Sequence, residues 1–566
     1  MQAIVDTITK LSLFLNYKIV FMKNILALLF VGLSATPTIA QQTKSPKLVV
    51  GIVIDQMCYE YLYRYQAKFC ENGFRRLMEQ GTNCRNTHYN YVPTFTGPGH
   101  ASIYTGTTPE NHGIVANDWY ERETGAVVNC VDDNTVKSVG TASTDGLCSP
   151  HYLKTNTISD QLRLTYPNAK VISMSIKDRG AILPGGHLSN GSYWYDYSSG
   201  KFITSSFFKE TLPEWVTKFN DEGQVGKYMN GTWNTLLDIA AYGESGPDDS
   251  KYEQLLGGKK TPTFPYNLKE MTTVTPANTL FTVTPFGNTF LADFAIRSID
   301  AEQLGKDEQT DMLCISFSTP DIAGHSFGPY SVELEDIYIR LDLEIGKLIK
   351  ELEAKVGKDE FVIFLTADHA VVPVPQYLVD KKLPGGYVFL DEKVTNLRKE
   401  VSEKYGSDLI VMEENLNIYL NHKRIDSLKL NRNDVADYVA SRVETWENVK
   451  RVFTGHQLNN STSDDEWRDM VRRGYHAKES GDVLFILEPG FLPKGVDSET
   501  AHKGTSHGSA FNYDTHVPLI WYGKNVPRQE VFRRVNITDI SATLTHLLYL
   551  QRVGAMTGDP ILELLK

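Results

Sequence analysis

"KLVVGIVID", residues 47–55, is a run of apolar residues and one glycine that begins on Lys47 and stops on a carboxylate, Asp55. A stretch with no polar alternation does not suit a sheet with one wet face. It suits a strand covered on both sides, as in a parallel sheet. Three later runs follow the same plan. "AKVISMSI" (169–176) leads into Lys177-Asp178-Arg179, "DMLCISFS" (311–318) into Thr319-Pro320-Asp321, and "EFVIFLT" (360–366) into Ala367-Asp368-His369. Helical stretches lie between them. The clearest carries Leu334, Ile337, Leu341, Ile345, Leu348 and Leu352 at three- and four-residue spacing, with acids in its first turn and Gly357 after it. Strands alternating with helices predict an α/β fold: a doubly wound, mostly parallel sheet with helices on both faces. Ligands of such sheets sit beyond the carboxyl ends of the strands. One Asp after a strand is ordinarily a helix cap, but four strands that all deliver ionisable residues to one edge exceed what capping explains.

The surrounding chain sets the limits. Its 566 residues, 41% hydrophobic and 22% charged, are globular in composition and could hold three or four domains or one large domain with insertions. The formal net charge of −12 argues against nucleic acid as a partner, so anions must be met by local cations or metals. "MKNILALLFVGLSATPTIA" (22–40) reads as a secretory signal peptide, with a lysine, an apolar run and a small-residue end before Gln41. Residues 1–21 then form an upstream extension, Met22 the start, and residues 41–566 an exported, periplasmic catalytic domain with no membrane anchor after cleavage. The apolar run is shorter than the ~20 residues a membrane span needs. Six cysteines, at 58, 70, 84, 130, 148 and 314, suit an oxidising compartment; none shows CxxC spacing, and no pairing is selected. Two regions, roughly 180–300 and 375–500, interrupt the strand–helix plan and read as insertions or a cap over the sheet edge.

The edge carries chemistry. "PDIAGH" sets Asp321 and His325 four residues apart, "ADHA" joins Asp368 to His369, and "GTSHGS" holds His507 between small residues before the strand-like "HVPLIWYG". With Asp55 this makes three carboxylates and three imidazoles. That donor mix suits zinc better than calcium or magnesium, and two sets of three would leave each ion an open position. "YVPTFTGPGHASIYTG" (91–106) then supplies a hydroxyl, Thr96, at or beside the N-cap of a helix. A threonine hydroxyl is a poor nucleophile unless a metal activates it, and a helix N-terminus favours an anion. Simple capping is the competing explanation for Thr96.

Six segments together resemble the alkaline phosphatase superfamily: "VIDQM", "PTFTGPGHASIYTGTTPENHGIVANDW", "SIKDRGAILPGGH", "STPDIAGHSFGP", "TADHAVVPVP" and "GTSHGSAFNYDTHVPLIWYG". The likeness is to its phosphate-irrepressible, threonine-nucleophile bacterial branch, related to the type I phosphodiesterases and nucleotide pyrophosphatases, and it spans residues about 47–550. The resemblance implies two Zn²⁺ ions, one held by Asp321, His325 and His507, the other by Asp55, Asp368 and His369 with the Thr96 oxygen. It implies that Asn117 donates to a non-bridging phosphoryl oxygen and that Lys177 and Arg179 reach the phosphoryl group from the opposite side. A monoester dianion carries more charge on its transferred group than a diester does, so that basic pair favours small phosphate monoesters as substrates. The function implied is an exported alkaline phosphatase working through a phosphothreonine intermediate.

Three alternatives stand beside it. A phosphodiesterase of the same superfamily would share Thr96 and both metal sets. A sulfatase would want an Arg where "CSPHY" (148–152) has Tyr152. A catalytically silent zinc-binding surface protein would have no need of Thr96, Asn117, Lys177 and Arg179 together. His100 and His112 read as helix packing or capping, "SYWYDYSSG" (192–200) as an aromatic cluster, and Cys314 as a small buried hydrophobe.

Overall fold

The computed structural model of the chain describes residues 1–33, 45–460 and 465–565. It divides into two units, residues 1–45 and 46–566. In the first, Gln2–Leu33 is one helix that runs across the junction of residues 21 and 22. The expected cleavage site after Ala40 lies outside the described residues. Among those described, no helix is long and apolar enough to cross a membrane.

The second unit is built on the four apolar runs. They form strands β1 (Leu48–Ile54), β2 (Val171–Ser175), β3 (Asp311–Phe317) and β4 (Phe361–Thr366), and every residue in them is buried. The "HVPLIWYG" segment supplies β5 (Leu519–Gly523). The main sheet has ten strands in the order Gln529–Val531, Thr82–Cys84, β5, β4, β1, β3, β2, Gly191–Asp196, Lys201–Ser205, Ser138–Val139. The block from β4 through β1, β3 and β2 to Gly191–Asp196 is parallel, while β5 and Lys201–Ser205 pair antiparallel to their inner neighbours. Both faces are covered. Helices α1 (Thr96–Thr105) and α2 (Asp178–Gly185) pack together on one side, where Tyr104 meets Phe364. On the other, Phe286–Ala301 packs against α4 (Val332–Lys355), which follows α3 (Thr319–Phe327). This double cover is why the strands tolerate no polar alternation.

All six periodic leucines and isoleucines of α4 are buried. Ser331 caps the helix by accepting from Leu334 N at 3.2 Å. The acids near its start are buried as well. Glu333 accepts from Tyr266 Oη, Glu335 pairs with Lys68, and Asp336 accepts from Trp233 Nε1 and Tyr242 Oη.

The region expected as an insertion from about residue 180 begins inside the main sheet, since Gly191–Asp196 and Lys201–Ser205 are two of its strands and Phe286–Ala301 is a covering helix. Their alternation is masked because these strands are buried on both faces. Residues 386–494, by contrast, build their own lobe, with a four-stranded sheet (Ile410–Glu414, Asn417–Leu420, Val483–Leu487, Val449–Thr454) covered by Leu390–Tyr405 and Arg432–Val443. All six cysteines are free thiols, and Cys314 is buried within β3.

Candidate active site

Strand register assembles the site. Ile54 lies opposite Phe317, Val53 opposite Thr366, and Ser316 opposite Ser175, so β1–β4 end level with one another. The residues just beyond those ends converge: Asp55, Lys177, Asp321, and the Asp368-His369 pair. Candidate metal-ligand atoms gather in the two sets the resemblance implied, Asp321 with His325 and His507, and Asp55 with Asp368 and His369. Each set lies within 4.8 Å.

The imidazoles are aimed by backbone. His325 Nδ1 meets Thr505 O at 2.9 Å, His369 Nδ1 meets Ala370 O at 3.0 Å, and His507 Nδ1 meets Thr94 O at 2.7 Å. A carbonyl oxygen only accepts, so each ring keeps a proton on Nδ1 and turns Nε2 inward. There His325 Nε2 and His507 Nε2 stand 3.2 and 3.5 Å from Asp321 Oδ1, and His369 Nε2 stands 3.3 Å from Asp55 Oδ1 and 3.5 Å from Asp368 Oδ2. The His369 and His507 rings stack with centroids 3.4 Å apart.

Three carboxylates in one dry site repel one another. Burial raises the Asp368 carboxyl well above its ordinary range, and Asp55 pushes it further. Burial would raise Asp55 and Asp321 too, but Lys177 pulls Asp55 down, while His325 and Lys177 hold Asp321 well below the usual value. Burial and the neighbouring His369 keep His507 neutral. Asp55 Oδ1 and Asp368 Oδ2 are buried with no hydrogen-bond partner. Orphaned oxygens of this kind demand an explanation. Beside the inward Nε2 atoms of three imidazoles, they fit divalent metal bound by mixed oxygen and nitrogen donors.

Thr96 is the first residue of α1, after Phe95 at the N-cap, and no side chain caps that helix. Its hydroxyl is therefore not spent on capping. Thr96 Oγ1 lies 3.4 Å from His369 Nε2 and 3.4 Å from Lys177 Nζ. Asn117 Oδ1 accepts from Gly97 N at 2.8 Å, which leaves its amide N–H groups to donate beside Thr96. A Cβ on Gly99 would stand 2.3 Å from Asp368 O, so only glycine lets α1 reach this close to the ligand strand.

Lys177 reaches the site beside Thr96. Its ammonium sits between the ligand sets, 2.6 Å from Asp55 Oδ2 and 2.5 Å from Asp321 Oδ2. Burial opposes its charge, but Asp321 and Asp55 hold it above the ordinary lysine range. Arg179 is charged and partly buried beside Asp178, and its Nε has no partner.

Sequence reading missed Gln56. It adopts a left-handed φ of +65°, takes its N–H to Asp368 Oδ1 at 3.2 Å, and donates from Nε2 to Asp321 Oδ1 at 2.6 Å. It thus ties one ligand set to the other. A Cβ on Gly324 would lie 2.0 Å from Gln56 Oε1, which explains the glycine before His325. The only signal in the sequence is a polar residue directly after Asp55. His100 is held by Thr96 O and Ser316 Oγ, 3.5 Å from Asp368 Oδ2, and His112 by Ser102 Oγ; burial lowers the pKa of both, so they serve as neutral packing groups. Within "SYWYDYSSG", Tyr193, Trp194 and Tyr195 are core.

Comparison with known proteins agrees with this geometry. The family model of the type I phosphodiesterases and nucleotide pyrophosphatases matches residues 49–510. The alkaline phosphatase PafA of Elizabethkingia meningoseptica is 39% identical over 533 residues, 93% of this chain and 96% of that protein. The alkaline phosphatase PhoV of Synechococcus elongatus is 39% identical over 538 residues, 94% of this chain and 95% of that protein. The crystal structure of wild-type PafA aligns with a TM-score of 0.87 at 38% identity, covering 92% of this chain and 99% of that one.

Proposed function

This chain belongs to the type I phosphodiesterase/nucleotide pyrophosphatase family, within the alkaline phosphatase superfamily, and is an alkaline phosphatase; we propose that it hydrolyses phosphate monoesters with Thr96 as nucleophile at a two-zinc centre. Asp321, His325 and His507 would hold one ion, and Asp55, Asp368 and His369 the other beside Thr96. When bound, such ions supply Lewis-acid charge that acidifies a nearby hydroxyl or water and offsets the charge on a departing oxygen.

The chain's own groups do the rest. Thr96 Oγ1, free of any capping bond, attacks phosphorus in line; the Oγ1–P bond forms as the ester P–O bond breaks, leaving phosphothreonine and releasing the alcohol, whose oxygen takes up the proton that the hydroxyl gave up. Asn117, fixed by Gly97 N, donates an amide N–H to a phosphoryl oxygen. Lys177 and Arg179 place two cations against the transferred dianion, stabilising the charge that a monoester presents and a diester lacks. Water then attacks phosphorus, which returns Thr96 and releases phosphate. The observation that carries the reading is the hydroxyl of Thr96 at 3.4 Å from both His369 Nε2 and Lys177 Nζ, with no other duty.

The test is Thr96→Ala with bound metal measured alongside activity. Turnover of a monoester is expected to vanish while metal content stays level; full turnover in that variant excludes Thr96 as nucleophile. Assaying a monoester, a diester and a sulfate ester side by side separates this reading from the phosphodiesterase that the family name also suggests. Export with cleavage after Ala40 rests on the sequence of residues 22–40, and mass spectrometry of the mature amino terminus decides it.

A further inference from the structure

A cavity of about 90 Å³ opens where the 386–494 lobe meets the main body, and it begins at the active site. That is several times the ~15 Å³ one water needs. His507, a proposed metal ligand with Asp321 and His325, and Phe95, the residue before Thr96, line it together with Val471, Leu487, Phe491 and Phe511. Phe95 stands edge-on to His507 with ring centroids 5.6 Å apart. Gly508, at φ +119°, makes this possible, since a Cβ there would lie 2.5 Å from the Phe95 ring.

The polar side chains along the cavity are already engaged. Asn415 Nδ2 donates to Asp118 O, Asn417 accepts from Gly481 N and donates to Asn415 O, and Glu488 pairs with Lys450. What remains for an occupant is carbon surface.

In-line displacement places the leaving oxygen opposite the attacking one. Thr96 faces His369, so the departing oxygen of an in-line displacement would point toward the set that contains His507, and its carbon substituent toward this cavity. Building on the phosphatase reading above, we propose that the cavity is a leaving-group subsite and that the preferred substrates are phosphate monoesters of apolar alcohols, alkyl or aryl.

The test uses the zinc-loaded enzyme and a series of alkylphosphonates from methyl to hexyl as competitive inhibitors, with inorganic phosphate as the reference. Each methylene buried is expected to tighten inhibition roughly fourfold until the cavity is full. In Phe511→Ser and Phe491→Ser the dependence on chain length is expected to flatten, while inhibition by inorganic phosphate stays unchanged. A flat series on the unaltered enzyme, with phosphate still competing, overturns the subsite and leaves the phosphatase reading intact. The same slope in both variants also overturns it. Failure of phosphate to compete at all, with no monoester turnover, counts instead against the function on which the subsite rests.

Discussion

Gln56 and Gly324 show how closely single residues are matched at this edge. A Cβ at position 324 would push the Gln56 side-chain amide off Asp321, while the Gln56 backbone N–H holds Asp368. Gly324→Ala is therefore expected to displace Gln56 and loosen Asp321, costing about 1–3 kcal/mol of stability, and to weaken metal retention in equilibrium dialysis. Retained metal affinity and an unchanged melting temperature would show that Gln56 is a bystander. The basic pair gives a second prediction at this scale. Lys177→Ala with Arg179→Ala should depress kcat/KM for a monoester far more than for a diester, because only the dianion presents its full charge to them. Equal losses would mean that the pair serves general binding.

At the scale of an element, α4 carries more than its apolar stripe. Burial is the main cause that lifts the Glu333 carboxyl, to about 8, with Asp248 and Asp336 adding to it and Tyr266 Oη opposing. The folded protein thus holds a proton there that the unfolded chain has released above its ordinary value of 4.5. Stability from this group is complete below that value and is lost as pH rises through about 8. Glu333→Gln keeps an acceptor for Tyr266 and removes the titration. Its melting temperature should fall less than the parent's between about pH 5 and pH 9; parallel declines would place the alkaline sensitivity elsewhere. The stripe of α4 was legible from spacing, because every fourth or third residue had to meet the sheet. The burial of its acids was not, because their partners, Tyr266, Lys68, Trp233 and Tyr242, come from other parts of the chain.

Across the whole molecule, three buried carboxylates depend on counter-charge, and Lys177 is an ammonium between two of them. Stripping metal with a chelator should lower the melting temperature by several degrees, and by more in Lys177→Ala, which loses both sources of positive charge. No change on chelation would separate the ligand sets from metal binding. The sequence by itself determined the α/β sheet, because a strand covered on both faces must be apolar throughout, and that pattern is written locally in residues 48–54, 171–175, 311–317 and 361–366. It also marked Asp55, Lys177, Asp321, Asp368 and His369, since whatever follows such a strand emerges at the edge where ligands bind. Only the tertiary structure decided that His507 and Thr94, more than four hundred residues apart, share a hydrogen bond, that Gln56 joins the two ligand sets, and that the 386–494 lobe walls a cavity onto Phe95. These are contacts between distant segments, set by strand register and by how elements pack. Local composition encodes which face of an element is buried, not which partner it meets there.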